Sequence, residues 1–261
     1  MSSSDRKREL AARAEQLRAL HHGAQPLLLP NAWDAASARA VVEAGFPAVA
    51  TTSSGVAASL GWPDGQQVPP DEMFAAVARI ARAVEAPVTA DIEGGYGLPP
   101  EALVERLLGA GAVGCNLEDS DHGRPGTLLD AEDQARRIAA VKAAARAAGV
   151  DVVLNARIDV VLREVGEPEG RLPETIRRAR LYVQAGADCV FPIVVKDEAS
   201  IRTLLDAVTT PLNILALPGA PAASRLGEMG VARISFGGGL HKAAMAEHRR
   251  RLEKIRAAEP L

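Results

Sequence analysis

The sequence predicts an α/β protein of the (β/α)8 TIM-type barrel class, and three observations carry that reading. Short β-branched runs alternate with Ala-, Arg- and Glu-rich stretches whose apolar residues recur at three- and four-residue spacing. One joint is written four times: Glu43-Ala44-Gly45, Gly109-Ala110-Gly111, Gln184-Ala185-Gly186 and Glu228-Met229-Gly230. Each places Gly where a helix ends in the left-handed conformation, with a strand close behind. Eight such units fit within 261 residues, the usual size of a barrel. A doubly wound open sheet fits less well. No GxGxxG follows the first strand, and polar residues follow nearly every strand rather than one switch point.

The elements follow in order. A helix over Ser4–His21 precedes the first strand and is placed to cover the barrel bottom. Strands are expected at Leu27–Pro30, Ala48–Thr52, Val88–Asp91, Gly114–Glu118, Val152–Arg157, Cys189–Pro192, Leu212–Ala216 and Ala232–Phe236. Helices are expected at Ala35–Ala44, Asp71–Val84, Pro100–Ala110, Ala131–Ala148, Pro173–Ala185, Asp197–Val208, Ala220–Met229 and His241–Ala257. This gives one domain over 1–261: an N-terminal helix (1–24), the barrel (25–240) and a C-terminal helix (241–261).

Composition narrows the function classes. The chain is 48% hydrophobic and 24% charged, as a soluble globular core requires. Aromatics are only 3%, so Ala, Val, Leu and Ile must fill the core. A net charge of −3 gives no basic footprint for nucleic acid. No apolar run is long enough to span a membrane and no secretory h-region opens the chain, so a cytoplasmic location is expected. Cys115 and Cys189 lie in apolar strand runs and read as buried small hydrophobes. His21 and His22 read as surface or helix-terminal residues.

In a barrel the working residues lie at the C-terminal ends of strands. Asp91 and Glu93 follow the third strand, two residues apart, which places them on one face of an extended backbone. Glu118 and Asp119 follow the fourth, and Asp64 lies in a Gly/Pro turn. Carboxylates gathered this way repel one another unless a cation or proton intervenes. Oxygen ligands without a Cys or His cluster point to Mg²⁺, with Mn²⁺ as the alternative. Arg157, after the fifth strand, suits capture of a substrate carboxylate. Thr51-Thr52-Ser53-Ser54-Gly55 offers hydroxyls and amides to an oxygen-rich anion. The loop 120–130 carries His122 and Arg124 between glycines and reads as a lid.

Five segments together resemble the isocitrate lyase / phosphoenolpyruvate mutase superfamily: 29–39 (LPNAWDAASAR), 52–64 (TSSGVAASLGWPD), 90–97 (ADIEGGYG), 116–119 (NLED) and 155–159 (NARID). The nearest likeness is to its methylisocitrate lyase-like and carboxyvinyl-carboxyphosphonate phosphorylmutase-like members. The resemblance implies a (β/α)8 barrel, assembled as a dimer or tetramer, in which the last helix is exchanged between subunits. It implies that Asp91 binds Mg²⁺, with Asp64, Glu93 and Glu118 holding it directly or through water. Trp33, Ser53, Ser54 and Gly55 would line the substrate, and Arg157 would meet its carboxylate. Apart from the resemblance, His122, the only His near the acidic cluster, or a metal-bound water is expected to supply a proton. Members cleave or form C–C or P–C bonds beside a 2-oxo acid through a Mg²⁺-stabilised enolate. The chain departs from the lyase pattern in the lid, where Asp119-Ser120-Asp121-His122-Gly123-Arg124 has neither Cys nor Lys. It departs again at Glu93, one methylene longer than the usual Asp. The expectation is therefore a Mg²⁺-dependent lyase of a 2-oxo acid or 2-hydroxy-carboxylate, by C–C cleavage or decarboxylation. A non-catalytic 2-oxo-acid-binding homologue and a phosphonopyruvate P–C hydrolase are the alternatives.

Overall fold

Glycine-ended helices and β-branched runs do alternate around a barrel in this computed structural model, which describes residues 2–260. After helix α1 (Ser3–Leu20), the first strand comes in two pieces, β1 (Leu27–Leu29) and β2 (Asn31–Ala32). Then follow α2 (Ala35–Glu43), β3 (Val49–Thr51), α3 (Ser53–Leu60), α4 (Pro70–Arg82), β4 (Val88–Asp91), α5 (Pro100–Gly109) and β5 (Gly114–Glu118). The second half runs α6 (Ala131–Ala148), β6 (Val153–Ile158), α7 (Pro168–Gln184), β7 (Cys189–Pro192) and α8 (Glu198–Ala207). It ends with β8 (Asn213–Leu215), α9 (Ala223–Met229), β9 (Arg233–Ser235) and α10 (Gly239–Arg256).

All strand pairs are parallel, in two ladders, β1-β9-β8 and β2-β3-β4-β5-β6-β7. Pro30 divides the first strand because it has no N–H to give a ladder. One piece pairs with β9 and the other with β3, so the two ladders share this strand. At the other seam Val190 bridges Leu212, and its N–H reaches the Pro211 carbonyl at 3.0 Å. Asn31 ties the first seam with its side chain. Its Nδ2 donates to the Thr51 carbonyl at 2.7 Å, and its Oδ1 accepts from Phe236 N and Gly237 N, both at 2.8 Å.

Some boundaries differ from the sequence expectation. Ser53–Leu60 is a helix, not a loop; its Ser-Ser-Gly start has weak helix propensity and hid it. Helix α7 begins at Pro168, where proline's fixed φ suits a first turn, and continues through Pro173, which had been read as its start. Cys115 and Cys189 are fully buried, and burial pushes both thiols up to about 12, so they pack as small hydrophobes.

Helix α1 plugs the barrel bottom. Leu17 is fully buried, and a Cβ placed on Gly114 would lie 2.8 Å from its Cδ2 and 2.9 Å from the Val153 carbonyl. Only glycine admits the plug there. His21 is the C-cap of α1 but not a surface residue: it is 4% exposed, because α1 directs it under the bore. Its Nδ1 lies 2.8 Å from the Leu17 carbonyl, which can only accept, so Nδ1 carries the proton. At the opposite end, α10 buries none of its residues, and no helix among the described residues is long and apolar enough to cross a membrane.

Burial, and secondarily the charge of Arg233, lowers His21 to about 3 from its ordinary 6.5. The unfolded chain therefore binds a proton between those values that the native protein refuses. The stability His21 confers is complete above pH 6.5 and is lost as pH falls toward 3. The gap in urea-denaturation stability between wild type and His21→Gln should narrow across that window, by roughly 1.4 kcal/mol per pH unit. A gap independent of pH would show that His21 titrates normally.

Candidate active site

Strand β4 delivers Asp91 to the open end of the barrel, and helix α3 meets it there. Asp91 Oδ2 accepts from Ser53 N at 3.1 Å and Ser53 Oγ at 2.9 Å, while the Asp91 N–H donates to Thr51 Oγ1 at 2.8 Å. Its other oxygen, Oδ1, is buried with no partner. Thr52 makes no side-chain cap on α3, which leaves amides of the first turn open toward the site. Close packing fixes that turn. A Cβ on Gly55 would lie 2.7 Å from Thr52 Cγ2 and 3.0 Å from Trp33 Cβ. Ser54 Oγ is 3.1 Å from Thr52 Oγ1, and Trp33 stacks edge-on with His241 at 5.1 Å between ring centroids.

Glu93 reaches the same space by a different route from the one its spacing suggested. The strand ends at Asp91, and Glu93 is left-handed at φ 51°, so strand alternation does not aim it. Of the five other non-glycine residues in that sparsely populated region among the described residues, two lie beside it, Gln66 at φ 58° and Tyr96 at φ 56°. Both clamp the Glu93 carboxylate. Gln66 N donates to Glu93 Oε2 at 2.6 Å, Tyr96 Oη donates to Oε1 at 2.9 Å, and Tyr96 N donates to Gln66 Oε1. Three of the six left-handed non-glycine residues thus meet at one carboxylate.

Strand β5 brings Glu118, which is 2% exposed. Its Oε1 lies 2.8 Å from His122 Nε2, and its Oε2 lies 2.5 Å from Arg157 Nη1. Arg157 is its register partner on β6 and is itself forked onto Asp159, through Nε at 2.7 Å and Nη2 at 2.9 Å. Behind them Asp119 is fully buried, taking Tyr182 Oη at 2.7 Å, Arg178 Nη1 at 3.0 Å and Asp159 N at 2.8 Å. Asp119 thus braces the strand ends and does not face the site.

The loop over 120–130 is closed at its base. Ser120 bridges Leu128, Leu129 N donates to the Asp119 carbonyl at 2.8 Å, and Asp121 N to Thr127 O at 3.0 Å. His122 packs down from it. A Cβ on Gly94 would lie 3.1 Å from His122 Cδ2. Arg124 points away and pairs with Asp121 in solvent.

Electrostatics report an excess of negative charge. Burial raises Glu93 to about 7, helped by the charges of Asp91, Glu118 and Asp64. Burial also raises Glu118, against the pull of Arg157 and His122. Asp64, at the exposed rim, is raised by desolvation of its inner side and by Asp91. Partial burial opposes charge on His122, yet the Glu118 hydrogen bond and charge outweigh it and raise its pKa. The donor atoms of Glu93, Glu118 and His122 all lie within 4.8 Å of one another. Oxygen donors dominate, and the unpartnered Asp91 Oδ1 lacks a donor or a cation, so the residues fit a hard divalent cation.

Comparison with known proteins agrees with this geometry. The family model described as phosphoenolpyruvate phosphomutase matches residues 17–256. The chain belongs to the phosphoenolpyruvate phosphomutase family. A protein of Mycobacterium tuberculosis with no assigned function is 38% identical over 233 residues, 87% of this chain and 85% of that one. A Burkholderia cenocepacia structure, provisionally described as a phosphonomutase, is 43% identical, with a TM-score of 0.86 over 92% of this chain and 99% of the other. Oxaloacetate acetylhydrolase bound to its product oxalate matches with a TM-score of 0.84 at 27% identity, over 95% and 87%. Relatives include proteins described as carboxyvinyl-carboxyphosphonate phosphorylmutase, probable 2-methylisocitrate lyase and 2,3-dimethylmalate lyase.

Of the sequence-predicted residues, the barrel brings Asp91, Glu93, Glu118, His122 and Arg157 to one end, with Ser53, Ser54, Gly55 and Trp33 beside them and Asp64 at the rim. The sequence reading missed Gln66 and Tyr96, whose roles appear only once their φ angles and contacts are known. Gly94→Val should displace His122 and open the loop. Limited proteolysis within residues 120–130 should quicken about tenfold or more, following the open-form population; an unchanged rate would show that Gly94 does not seat the imidazole.

Proposed function

We propose that this phosphoenolpyruvate phosphomutase-family chain is a Mg²⁺-dependent lyase of a 2-oxo or 2-hydroxy carboxylic acid, cleaving the bond to the substituent at C3 or decarboxylating there. The observation that carries the reading is the layer of Asp91, Glu93 and Glu118 with a buried Asp91 oxygen left unpartnered at the end of a barrel. Asp91, Glu93 and Glu118 would hold the cation, with Asp64 through water, and Mn²⁺ could replace it. Bound there, the cation supplies Lewis-acid stabilisation to charge developing on the 2-oxo oxygen.

The chain's own residues do the rest. The first turn of α3, whose Ser53 amide and hydroxyl serve Asp91, offers the Ser54 and Gly55 amides to a substrate carboxylate at the positive end of a helix. Arg157 adds positive charge beside it, its fork held by Asp159 and its remaining nitrogen by Glu118. Trp33 and His241 form the apolar wall. The seated loop would exclude water, and His122, whose Nε2 lies 2.8 Å from Glu118, would return a proton at C3. Because Glu118 favours the charged imidazole, His122 begins as the acid.

The absence of a lid Cys and Lys motivates one rival, a 2-oxo-acid-binding protein without turnover, and a phosphonopyruvate P–C hydrolase is the other. A substrate panel separates them. Oxaloacetate, isocitrate, 2-methylisocitrate, dimethylmalate, oxalomalate and phosphonopyruvate would each be incubated with Mg²⁺ and with EDTA, while pyruvate, glyoxylate and phosphate are measured. EDTA-sensitive cleavage of a C–C substrate is expected, and Asp91→Ala should abolish it while circular dichroism stays unchanged. Full activity in Asp91→Ala would sink the scheme. Phosphate release would assign the hydrolase, and tight binding without product the binding role.

The chain is also proposed to assemble with copies of itself. Helix α10 buries nothing, and its Leu240, Met245, Leu252 and Ile255 are 39%, 38%, 49% and 57% exposed. An apolar groove of about 610 Å³ opens where it leaves the barrel, lined by Trp33, Phe46, Phe236 and Leu240. A second copy's α10 covering such surfaces predicts a dimer or tetramer by light scattering. Deletion of residues 241–261 should yield monomers; a monomeric full-length chain would contradict the assembly.

A further inference from the structure

One cation in the barrel has no counter-ion. Buried Lys142 pairs with Asp188 at 2.8 Å, Arg178 with Asp119 at 3.0 Å, and Arg157 with both Glu118 and Asp159. Arg233 differs. It projects from β9 into the bore, is 1% exposed, and forms no ion pair among the described residues. Its Nη2 donates to Asn116 Oδ1 at 3.3 Å, its Nη1 faces His21 Nε2 at 3.5 Å, and its Nε has no partner. The His21 proton is on Nδ1, so Nε2 presents a lone pair, and both neighbours of the guanidinium are neutral. A buried, unpaired charge is costly, and solvation by two neutral acceptors does not offset it.

The place of this charge gives it a use. Asn116 is the register partner of Asp91 across β4 and β5, and it also accepts from Asn155 at 2.8 Å. Arg233 therefore reaches the layer of the bore that contains Asp91. Burial weakens its hold on the proton, while Asp91 is among the groups that strengthen it. The other polar residues around it are uncharged: Asn155, Asn213 and Thr89 each keep a buried oxygen without a partner.

Resting on the proposed lyase reading, we infer that Arg233 is a fixed positive charge beneath the site, which favours anionic forms of the bound acid over the metal-loaded site without it. In a low-dielectric bore its field is not screened by salt. It opposes a divalent cation bound alone and favours the site once an enolised, more negative ligand arrives. Helix α1 belongs to the device, because His21 caps the guanidinium from below without neutralising it. Arg233 acts through the field and touches no reacting atom, so it is a positioning residue.

The test is calorimetry on the full chain, first with Mg²⁺ alone and then with oxalate at saturating Mg²⁺, oxalate being a planar dianion resembling an enolised 2-oxo acid. Arg233→Met should bind Mg²⁺ as well as wild type or better, yet bind oxalate about tenfold or more weakly. Arg233→Lys, which keeps the charge, should recover most of that loss. Asn116→Asp is an independent variant of the same shape that sets a carboxylate on Nη2; it should give the same split, and it decides the matter if Arg233→Met does not fold. Unchanged oxalate affinity in Arg233→Met or Asn116→Asp would overturn the inference. So would parallel loss of Mg²⁺ and oxalate, or no rescue by lysine, since either marks a packing role. Wild type that binds no oxalate with Mg²⁺ would remove the lyase reading itself, and this inference with it.

Discussion

Mutual repulsion among carboxylates at one end of the barrel is the constraint on which the rest of the site depends. Burial raises the proton affinity of Asp64, Glu93 and Glu118, and the charge of Asp91 beside them adds to it. Such a group is stable in only three ways: by holding protons, by pairing with cations, or by binding a metal. The chain uses the first two in part. Arg157 and His122 take opposite oxygens of Glu118, and Glu93 lies close enough to neutrality to titrate near pH 7. Asp91 Oδ1 is satisfied by neither. The site is arranged to respond strongly to added positive charge.

That arrangement needs a rigid frame, and closure of the barrel supplies it. Pro30 cannot complete a continuous ladder, so the first strand divides between β9 and β3, and the Asn31 side chain replaces the missing backbone tie. Its two accepted amides belong to Phe236 and Gly237, at the entry to α10, and its donor goes to Thr51, next to α3. One asparagine thus fixes both the helix start that faces Asp91 and the segment that carries His241 against Trp33. Below, α1 seals the bore with Leu17, so charges in the layers above are kept from water and act at full strength.

Much of this was legible in the sequence, for physical reasons. Helix periodicity and Gly-ended joints are local, so the order of strands and helices could be read directly. Asp91, Glu118 and Arg157 end strands in parallel register, and a barrel must bring such ends together. What stayed hidden depends on conformations that local propensity disfavours. Helix α3 starts on Ser-Ser-Gly, a run that reads as loop, and forms because Asp91 takes the first amide. Glu93 seemed to share a strand face with Asp91; instead a left-handed turn aims it, and Gln66 and Tyr96 hold it there. His21 looked like a helix-end surface residue because nothing local tells that α1 docks against the bore.

The longer acid at Glu93 and the altered lid are consistent with one another. A carboxylate one methylene longer, starting from a left-handed residue, must be clamped if it is to stay in place, and two of its clamps come from residues in strained conformations. The clamped carboxylate comes within 4.8 Å of both Glu118 and His122, which occupies the space left by Gly94. The Glu118 pairing favours the charged form of that imidazole. Where the lid has neither Cys nor Lys, this chain seats an imidazole, held by Glu118 and by the space at Gly94 against the carboxylate frame.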